Sequence, residues 1–466
     1  MDGFPVVIVG AGPVGLAAAV HVRSRGLTPL VLEAGSQAGA AVREWAHVRL
    51  FSPWAEVIDP EAAKLLAGSG WTAPDPARYP TGGDWARDYL QPLADALGDQ
   101  VRYHARVTGI AKLGRDLLVD DAGRDEAPFM VHVSTPEGGE RVVARAVIDA
   151  SGTWTGPNPV GGDGLSATGE ADAVDHISYR VPELRSPAGR RRYAGKHVVV
   201  AGTGASALTA LVAFGELAQT APATRITWLV RRPGTSHTFG GGDNDQLAAR
   251  GALGRRAHDA VAAGHVTTVT DFRTAEIAGR ADGRLLMTSF AGATVADVDE
   301  IVAVTGFRPD LGFLSEVRLD LDPVLQAPSA LAPLIDPNVH SCGTVRPHGA
   351  NVLRQPDAGM YVAGMKSYGR APSFLVMTGF EQVRSIAAEI AGDHEAAARV
   401  ELTLPASGVC GGAGLFDETE TSAAGGCCSP QPTGDLLTIT DAVQPPCLGS
   451  ADNEFVTTVT AVSGRS

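Results

Sequence analysis

Two glycine-rich turns, each directly after a run of β-branched residues, are the parts of this sequence whose spacing could do chemistry. In the first, the run 6–9 leads into Gly10, Gly12 and Gly15, which form a G-x-G-x-x-G pattern, and an alanine-rich helical pattern begins at Pro13. The first glycine of such a pattern makes a tight turn, the second lets backbone approach a pyrophosphate, and the third lets helix and strand pack closely. The helix N-terminus then offers free N–H groups to the phosphates. The stretch therefore predicts a dinucleotide site.

An acidic residue and an aromatic loop follow this first turn. Glu33 ends the next apolar run, about 20 residues after the glycines, where a carboxylate can accept hydrogen bonds from ribose hydroxyls. An acidic residue at the end of this second run is typical of a site that binds FAD. The loop that carries Arg43 and Trp45 is rich in arginine and aromatic residues. It either covers a flavin or is a surface excursion with a few core aromatics.

The second glycine-rich turn repeats the pattern. Residues 196–201 run into Gly202, Gly204 and Ser206, and a helical pattern follows. The next apolar run, 226–230, ends in Arg231 and Arg232 instead of an acid. Arginine pairs bidentately with a 2′-phosphate, which an acid would repel, so this copy predicts NADPH rather than NADH. The alternative is that the two arginines are a solvated charged turn.

These patterns predict an α/β fold with two Rossmann-like dinucleotide-binding domains, the FAD domain being interrupted by the NADPH domain, followed by a flexible C-terminal tail. Further strands are expected over 101–107, 129–134 and 141–150, and the last of these leads into a small-residue turn at Gly152. The run 300–309, a strand that leads into a turn, is expected to return the chain to the first domain. The expected domains are 1–160 and 301–395 for FAD, 161–300 for NADPH, and 396–466 for a cysteine-containing, largely disordered tail.

Composition excludes several classes of partner. The chain has 466 residues, a formal net charge of −14 and an isoelectric point near 5.3, which argues against nucleic acid. No apolar run reaches the roughly 20 residues of a membrane span. Five dispersed cysteines do not predict a disulfide framework and favour a reducing cytoplasm. We expect a cytoplasmic protein with a small-molecule substrate, and a homodimer is one option for its assembly.

Residues 1–395 resemble the flavin-containing monooxygenases and the wider superfamily of two-dinucleotide-binding flavoproteins. The turns 150–152 and 305–306 stand where that family has its two A-T-G-type turns, and Gly364 stands where its last strand presents backbone to the flavin. Tyr79-Pro80 and His176-x-x-Tyr179 match class B monooxygenases, although no F-x-G precedes His176. Neither the C-x-x-C nor the C-x-x-x-x-C motif of dithiol reductases occurs, so internal dithiol chemistry of those kinds is not expected.

Motifs and resemblance together predict the cofactor contacts. The predicted contacts are Gly10, Gly12, Pro13, Gly15, Glu33, Arg43, Trp45, Val107, Gly152, Gly364 and Lys366 for FAD, and Gly202, Gly204, Ser206, Arg231 and Arg232 for NADPH. No catalytic acid or base can be named. His176, His348 and Lys366 are polar candidates near predicted flavin-facing turns, and each fits a structural or cofactor contact better than a proton-transfer group.

A narrower resemblance is to flavoprotein monooxygenases of actinobacterial arsenic-resistance clusters. It rests on the short stretches 342–344, 365–372 and 404–410. It implies a thiophilic arsenical as substrate. Because thiolates select soft ions, the adjacent Cys427 and Cys428, with Cys410, are candidate arsenic thiolates that could deliver the substrate toward the flavin past Cys342, and Cys447 is the weakest candidate. The alternative is that these cysteines accumulate in a disordered tail without a function or form an incidental disulfide. The alternative function is a flavoprotein reductase, or a redox-sensing flavoprotein whose tail captures metal or metalloid ions.

Overall fold

The structure of the chain is a computed structural model that describes residues 3–121, 123–235, 238–240, 245, 247–338 and 345–402. The predictions made for Cys342, for the other four cysteines and for most of the C-terminal tail lie outside the described residues. Within those ranges, no helix is both long enough and apolar enough to cross a membrane.

The strands, in chain order, are β1 (Val6–Val9), β2 (Pro29–Leu32), β3 (Val101–Arg102), β4 (Arg106–Lys112), β5 (Phe129–Thr135), β6 (Gly138–Ala144), β7 (Ala146–Asp149), β8 (Ile177–Ser178), β9 (His197–Ala201), β10 (Arg225–Leu229), β11 (Thr267–Val269), β12 (Thr274–Gly279), β13 (Leu285–Ser289), β14 (Thr294–Val298), β15 (Glu300–Ala303) and β16 (Met360–Val362).

The α-helices, in chain order, are α1 (Pro13–Ser24), α2 (Ala40–Glu44), α3 (Trp54–Val57), α4 (Pro60–Ala67), α5 (Gly82–Trp85), α6 (Gln91–Leu97), α7 (Pro187–Tyr193), α8 (Ala205–Thr220), α9 (Ala248–Ala262), α10 (Ala332–Ile335), α11 (Ala350–Leu353), α12 (Val376–Ile390) and α13 (His394–Ala398).

The first large sheet is parallel, with the strand order β16-β7-β1-β2-β3. Every residue of β1 and β7 is buried, as expected for parallel strands that are covered on both faces. One covering layer consists of α1 and α12, which pack closely because Gly379 has no side chain. A Cβ at Gly379 would lie 2.6 Å from Cγ2 of Val14.

The second large sheet is also parallel, with the order β11-β10-β9-β15-β8. β9 is buried throughout, and α8 packs beside α9. β15 pairs with β9 and β8 in this sheet, so the expectation that it returns to the first domain is wrong. Its buried apolar run fits either parallel sheet equally well, and periodicity alone does not say which strand it joins.

Two three-stranded antiparallel sheets accompany the large ones. β4, β5 and β6 form one, and β12, β13 and β14 form the other. The single strand expected over 141–150 is two strands: β6 has one partly exposed face in the small sheet, and β7 is fully buried in the first large sheet. The predicted two-sheet α/β architecture is confirmed.

Candidate active site

The first glycine-rich turn lies between β1 and α1, at the carboxyl edge of the first sheet. Gly10 has φ +98°, which favours glycine, and a Cβ at Gly15 would lie 1.9 Å from the Gly10 carbonyl oxygen. At Gly12 a Cβ would meet no atom within 4 Å. Two of the glycines are therefore required by the protein's own packing, whereas Gly12 borders open space.

The N-terminus of α1 fits an anion in that open space. Gly12 is its N-cap and supplies no side-chain cap, Pro13 is the first helical residue, and the first turn contains no acid. Proline is favoured there because its missing N–H needs no partner. The remaining N–H groups of the first turn and the positive end of the helix dipole can then bind a phosphate.

Glu33 holds the first turn in place from the end of β2. Its carboxylate accepts the Ala11 N–H at 2.7 Å and the Gly35 N–H at 2.7 Å, and the residue is buried. A carboxylate has about four acceptor sites, so acceptor capacity remains for ribose hydroxyls. Glu33 thus shapes the glycine-rich turn, a role that the sequence motif did not predict.

The second glycine-rich turn repeats this geometry at the carboxyl edge of the second sheet. Gly202 has φ +127°, and a Cβ there would lie 2.3 Å from the Val304 carbonyl oxygen. Gly204 is the uncapped N-cap of α8 and, like Gly12, borders open space, because a Cβ there would meet no atom within 4 Å. The Trp228 indole N–H fixes the turn by donating to the Gly202 carbonyl at 2.8 Å. Ser206 is exposed on the first turn of α8.

The two adjacent arginines after β10 are not equivalent. Arg231 is exposed and, within the described part of the chain, has no hydrogen bond or ion pair. Arg232 is half-buried and is not a free cation, and its carbonyl accepts the Asp271 N–H at 2.8 Å. Arg231 is therefore the one that remains available for a phosphate.

The turn after β16 packs against the first glycine-rich turn. Gly364 has φ +68°, and a Cβ there would lie 3.3 Å from Val14. Its N–H donates to Oε1 of the fully buried Gln382 on α12, at 2.8 Å. The Gly364 carbonyl accepts the Ser367 hydroxyl at 2.8 Å. The backbone of this turn is thus fixed from α12.

His348 completes that hydrogen-bond network. Because Gln382 uses its oxygen for Gly364, its amide nitrogen is the donor to His348 Nε2 at 2.8 Å, and Nδ1 of His348 donates to the Arg346 carbonyl at 3.1 Å. Burial lowers the pKa of His348, which favours this neutral form. His348 therefore acts here as a structural acceptor behind the turn.

Lys366 is buried on the same turn. Its ammonium lies 2.6 Å from Oδ2 of Asp149, donates to Oγ of Ser151 at 3.1 Å, and lies 4.3 Å from the centroid of the Phe313 ring. Both charged side chains are wholly inaccessible. A buried charge needs a close partner, and each of these two has the other. The placement therefore favours a structural ion pair that links the ends of β7 and β16.

The structure does not bring His176 to these turns. His176 immediately precedes β8, and its Nδ1 is 2.9 Å from the Asp299 carbonyl, just before β15. Both strands are parallel to β9, so His176 lies at the amino edge of the second sheet. The glycine-rich turn that follows β9 lies at the opposite edge, which leaves His176 without a supported role in chemistry.

The remaining predicted contacts lie around the first sheet. Arg43 donates to the Ala38 carbonyl at 3.0 Å and is half-buried. Trp45 packs against Gly82, where a Cβ would lie 2.5 Å from its ring. Val107 is half-buried on β4. Gly152 has φ +70° and borders open space.

Four residues that the sequence did not single out meet between the two large sheets. The rings of Trp154 and Phe307 stack with centroids 4.9 Å apart, and the Arg180 guanidinium lies 4.0 Å from the Trp154 centroid. Glu44 accepts the Trp154 indole N–H at 2.7 Å. Each residue comes from a different segment, so no local pattern could have predicted the cluster.

Comparison with known families agrees with this geometry. The model of the pyridine nucleotide-disulphide oxidoreductase family matches residues 7–331, which include both glycine-rich turns. The chain belongs to this family. It is accordingly an oxidoreductase that binds FAD and NADP(H), and the resemblance to two-dinucleotide-binding flavoproteins is confirmed.

The relatives of this chain include several kinds of enzyme. It is 28% identical over 322 residues to ferredoxin–NADP reductase 1 of Cupriavidus necator, covering 68% of this chain and 74% of the relative. It shares its fold with bacillithiol disulfide reductase from Bacillus cereus (TM-score 0.62, 21% identity) and flavin-containing monooxygenase from Stenotrophomonas maltophilia (0.52, 21%). An ornithine N-hydroxylase from Kutzneria sp. 744 is similar in fold (0.54, 20%). Each solved structure is covered to 99% by 84% of this chain.

The residues of this family member fit both cofactors. The spaces beside Gly12 and Gly204 are cradles that a side chain would fill, and each adjoins an uncapped helix N-terminus. The disulphide chemistry in the family's name has no counterpart motif, because cysteine occurs only at 342, 410, 427, 428 and 447.

Proposed function

We propose that this chain is an FAD- and NADPH-dependent monooxygenase that acts on a small substrate. The observation that supports the two cofactors of this proposal is the pair of open glycine cradles, Gly12 and Gly204, at the carboxyl edges of two parallel sheets, and the absence of either dithiol motif from the sequence favours an external acceptor such as O2. Ligands of open α/β sheets bind at those edges. Two such sites in one chain serve to place a nicotinamide beside a flavin.

Named residues hold the two nucleotides in this proposal. The first turn of α1 binds the FAD pyrophosphate beside Gly12, and Glu33 accepts from the ribose. The N-terminus of α8 binds the NADPH pyrophosphate beside Gly204, and Arg231 binds the 2′-phosphate. Bound FAD supplies the redox chemistry, accepting two electrons from NADPH and passing them to an acceptor.

The protein's remaining contribution is to fix the backbone around the flavin ring. The turn at Gly364 is held by Gln382 and His348, and the turn at Gly152 is tied to it through Ser151 and Lys366. These buried contacts leave little freedom in either turn. The arrangement supports orientation of the cofactor and exclusion of water. It identifies no residue as a proton donor or acceptor.

The cysteine positions support an external acceptor. With neither dithiol motif in the sequence, electrons have no internal disulfide of those kinds to reduce. In a monooxygenase the acceptor is O2: one oxygen atom enters the substrate, the other becomes water, and NADPH supplies two electrons.

We further propose a trivalent arsenical as the substrate. This rests on the resemblance to arsenic-cluster flavoproteins and on thiol chemistry, since thiolates select soft ions. Cys427 and Cys428 are adjacent and Cys410 precedes them, so they could collect a thiophilic substrate. Transfer of one oxygen atom would then oxidise arsenic from the trivalent to the pentavalent state.

A flavoprotein reductase is the second candidate function. The 28% identity to a ferredoxin–NADP reductase favours it, since such an enzyme passes electrons to a carrier without using oxygen. The same two cradles would serve it equally well.

Oxygen dependence separates the two candidates. Purified protein is mixed with NADPH, with and without O2 and with and without methylarsenite, and NADPH oxidation, O2 uptake and pentavalent product are measured. The monooxygenase predicts one O2 and one product per NADPH, and no arsenical oxidation without O2. Anaerobic reduction of ferredoxin with no oxygenated product would instead establish the reductase, and flavin that NADPH does not reduce would refute both.

A further inference from the structure

Four side chains from separate segments meet where the chain passes between the two large sheets. Glu44 ends α2, Trp154 follows β7, Arg180 follows β8, and Phe307 follows β15. Two of these segments leave the first sheet and two leave the second. We call these four residues the Arg180 cluster.

The guanidinium of Arg180 is the centre of the cluster. It lies 4.0 Å from the Trp154 ring centroid and 5.1 Å from the Phe307 centroid. Its Nη2 donates to the Trp154 carbonyl at 2.8 Å, and its Nε lies 3.7 Å from the Glu44 carboxylate. The same carboxylate oxygen accepts the Trp154 indole N–H. Arg180 therefore holds the backbone carbonyl and the ring face of Trp154, and Glu44 holds its indole N–H.

The two rings project from segments that are themselves paired. The Asn158 N–H donates to the Gly306 carbonyl at 2.9 Å, and the Arg308 N–H donates to the Gly156 carbonyl at 2.8 Å. The outgoing and returning passages of the chain thus form a short antiparallel ladder. Phe307 belongs to this ladder, opposite Pro157, and Trp154 lies just before it.

Arg180 is partly withdrawn from water. Burial lowers the pKa of Arg180 from its ordinary value, and the nearby Glu44 opposes that shift. Arginine remains charged in proteins, and cation–π contacts are stronger where the cation is desolvated. The ring contacts are therefore made by a cation that is only 28% exposed, whereas its acidic partner Glu44 is 58% exposed.

The cluster lies next to two turns, one after β7 at the carboxyl edge of the first sheet and one after β15 at the carboxyl edge of the second. Trp154 is two residues beyond Gly152, and Phe307 directly follows Gly306. Side-chain hydrogen bonds already join the two segments beyond these turns, since the Thr305 hydroxyl donates to the Asn158 carbonyl at 2.9 Å and the Asn158 amide donates to the Thr305 carbonyl at 3.0 Å. The stacked rings and Arg180 add a second connection between them.

We propose that Arg180 is a positioning residue that sets the distance between the nicotinamide and the flavin for hydride transfer. The proposal rests on the proposed function, since it requires both nucleotides to bind at the two sheet edges. Hydride transfer needs reacting atoms about 3–3.5 Å apart, and a misplacement of about 1 Å can cost roughly 100-fold in rate. A cation that joins both turns is well placed to control that distance.

The test compares three single variants in the full-length FAD-loaded protein. Arg180→Met removes the charge and the fork of donors, and Arg180→Lys keeps the charge but loses the planar stacking. Arg185→Met is the matched control, because Arg185 is in the same segment, 85% exposed, and paired only loosely with Glu216 at 3.3 Å. Flavin content and the thermal midpoint verify that each variant folds.

Anaerobic stopped-flow reduction by NADPH gives the first readout. We expect Arg180→Met to lower the limiting reduction rate by at least about ten-fold, with Arg180→Lys intermediate, because small displacements of reacting atoms cost large factors in rate. The NADPH Kd should stay unchanged, since the side chain of Arg180 contacts Tyr179, Trp154, Glu44 and Phe307, none of which belongs to the second glycine-rich turn. Arg185→Met should match the wild type.

Hydrogen exchange gives a second readout that does not depend on turnover. The amides of Gly156 and Asn158 and of residues 305–308 should exchange faster in Arg180→Met than in Arg185→Met, because loosening of the ladder exposes them. Wild-type flavin that NADPH does not reduce would overturn the proposed function. Wild-type reduction with an unchanged limiting rate in folded Arg180→Met or Arg180→Lys would overturn this inference alone.

Discussion

At the scale of single residues, Arg231 is expected to decide which nicotinamide cofactor the protein uses. A charge-assisted hydrogen bond contributes about 1.5–3 kcal/mol, so Arg231→Ala should reduce the preference for NADPH over NADH by roughly ten- to hundred-fold. The effect should reside in the NADPH affinity, because the 2′-phosphate does not react. Steady-state or stopped-flow titration with both cofactors measures it.

Arg225→Ala is the matched control for this prediction. Arg225 is exposed and begins the same strand, β10, but at the edge of the sheet opposite to Arg231. Its removal should leave the preference unchanged. Equal use of NADPH and NADH by the wild type, or an unchanged preference in Arg231→Ala, would contradict the assignment.

The role of a residue was predictable where a motif fixed the backbone around it. It was less predictable where the side chain's hydrogen-bond or ion-pair partners come from distant parts of the chain. The sequence could identify Gly12 as a cradle because its neighbours at Gly10 and Gly15 set the spacing. It could not foresee that Lys366 is bound by Asp149, since nothing local connects the two. Polar residues near a predicted site therefore looked like catalytic candidates until burial and pairing assigned them structural roles.

At the scale of elements, the turn from β1 into α1 can be tested with two glycines in matching environments. Gly12 and Gly139 both have extended backbone outside the positive-φ region, and a Cβ at either position would meet no atom within 4 Å. Neither substitution by valine should therefore disturb the fold. Only Gly12→Val should exclude the FAD pyrophosphate.

The expected result is a folded Gly12→Val protein with little flavin and a Gly139→Val protein with full flavin. The ratio of absorbance at flavin and protein wavelengths measures the content, and circular dichroism verifies folding. Full flavin in Gly12→Val would show that the first glycine-rich turn has been misassigned.

Elements with a distinctive period or spacing were predictable from the sequence, but their neighbours in a sheet were less so. β1 and β9 lie directly before their glycine-rich turns, and the helical patterns that follow those turns are α1, Pro13–Ser24, and α8, Ala205–Thr220. β15 was placed in the wrong sheet because its short buried run has no feature that specifies a partner strand. Pairing across long sequence separations is decided by packing of the whole molecule.

At the scale of the whole molecule, the elements that we propose bind the nucleotides all precede residue 391. The two large sheets and α12 end by Ile390, and the described chain continues only to residue 402. Four of the five cysteines follow at 410, 427, 428 and 447. Cofactor binding and substrate capture should therefore be separable by truncation.

We predict that removal of residues 407–466, and the double variant Cys427→Ser/Cys428→Ser, leave flavin content and NADPH-dependent flavin reduction intact. Turnover at low methylarsenite concentration should fall in both, because soft thiolates that collect a thiophilic substrate are lost. Saturating substrate should restore much of the rate, since the tail would deliver the arsenical and not transform it. Cys447→Ser is the control that removes one tail thiol outside the pair. If the dependence of rate on methylarsenite concentration is the same in all four proteins, the tail cysteines have no part in substrate delivery.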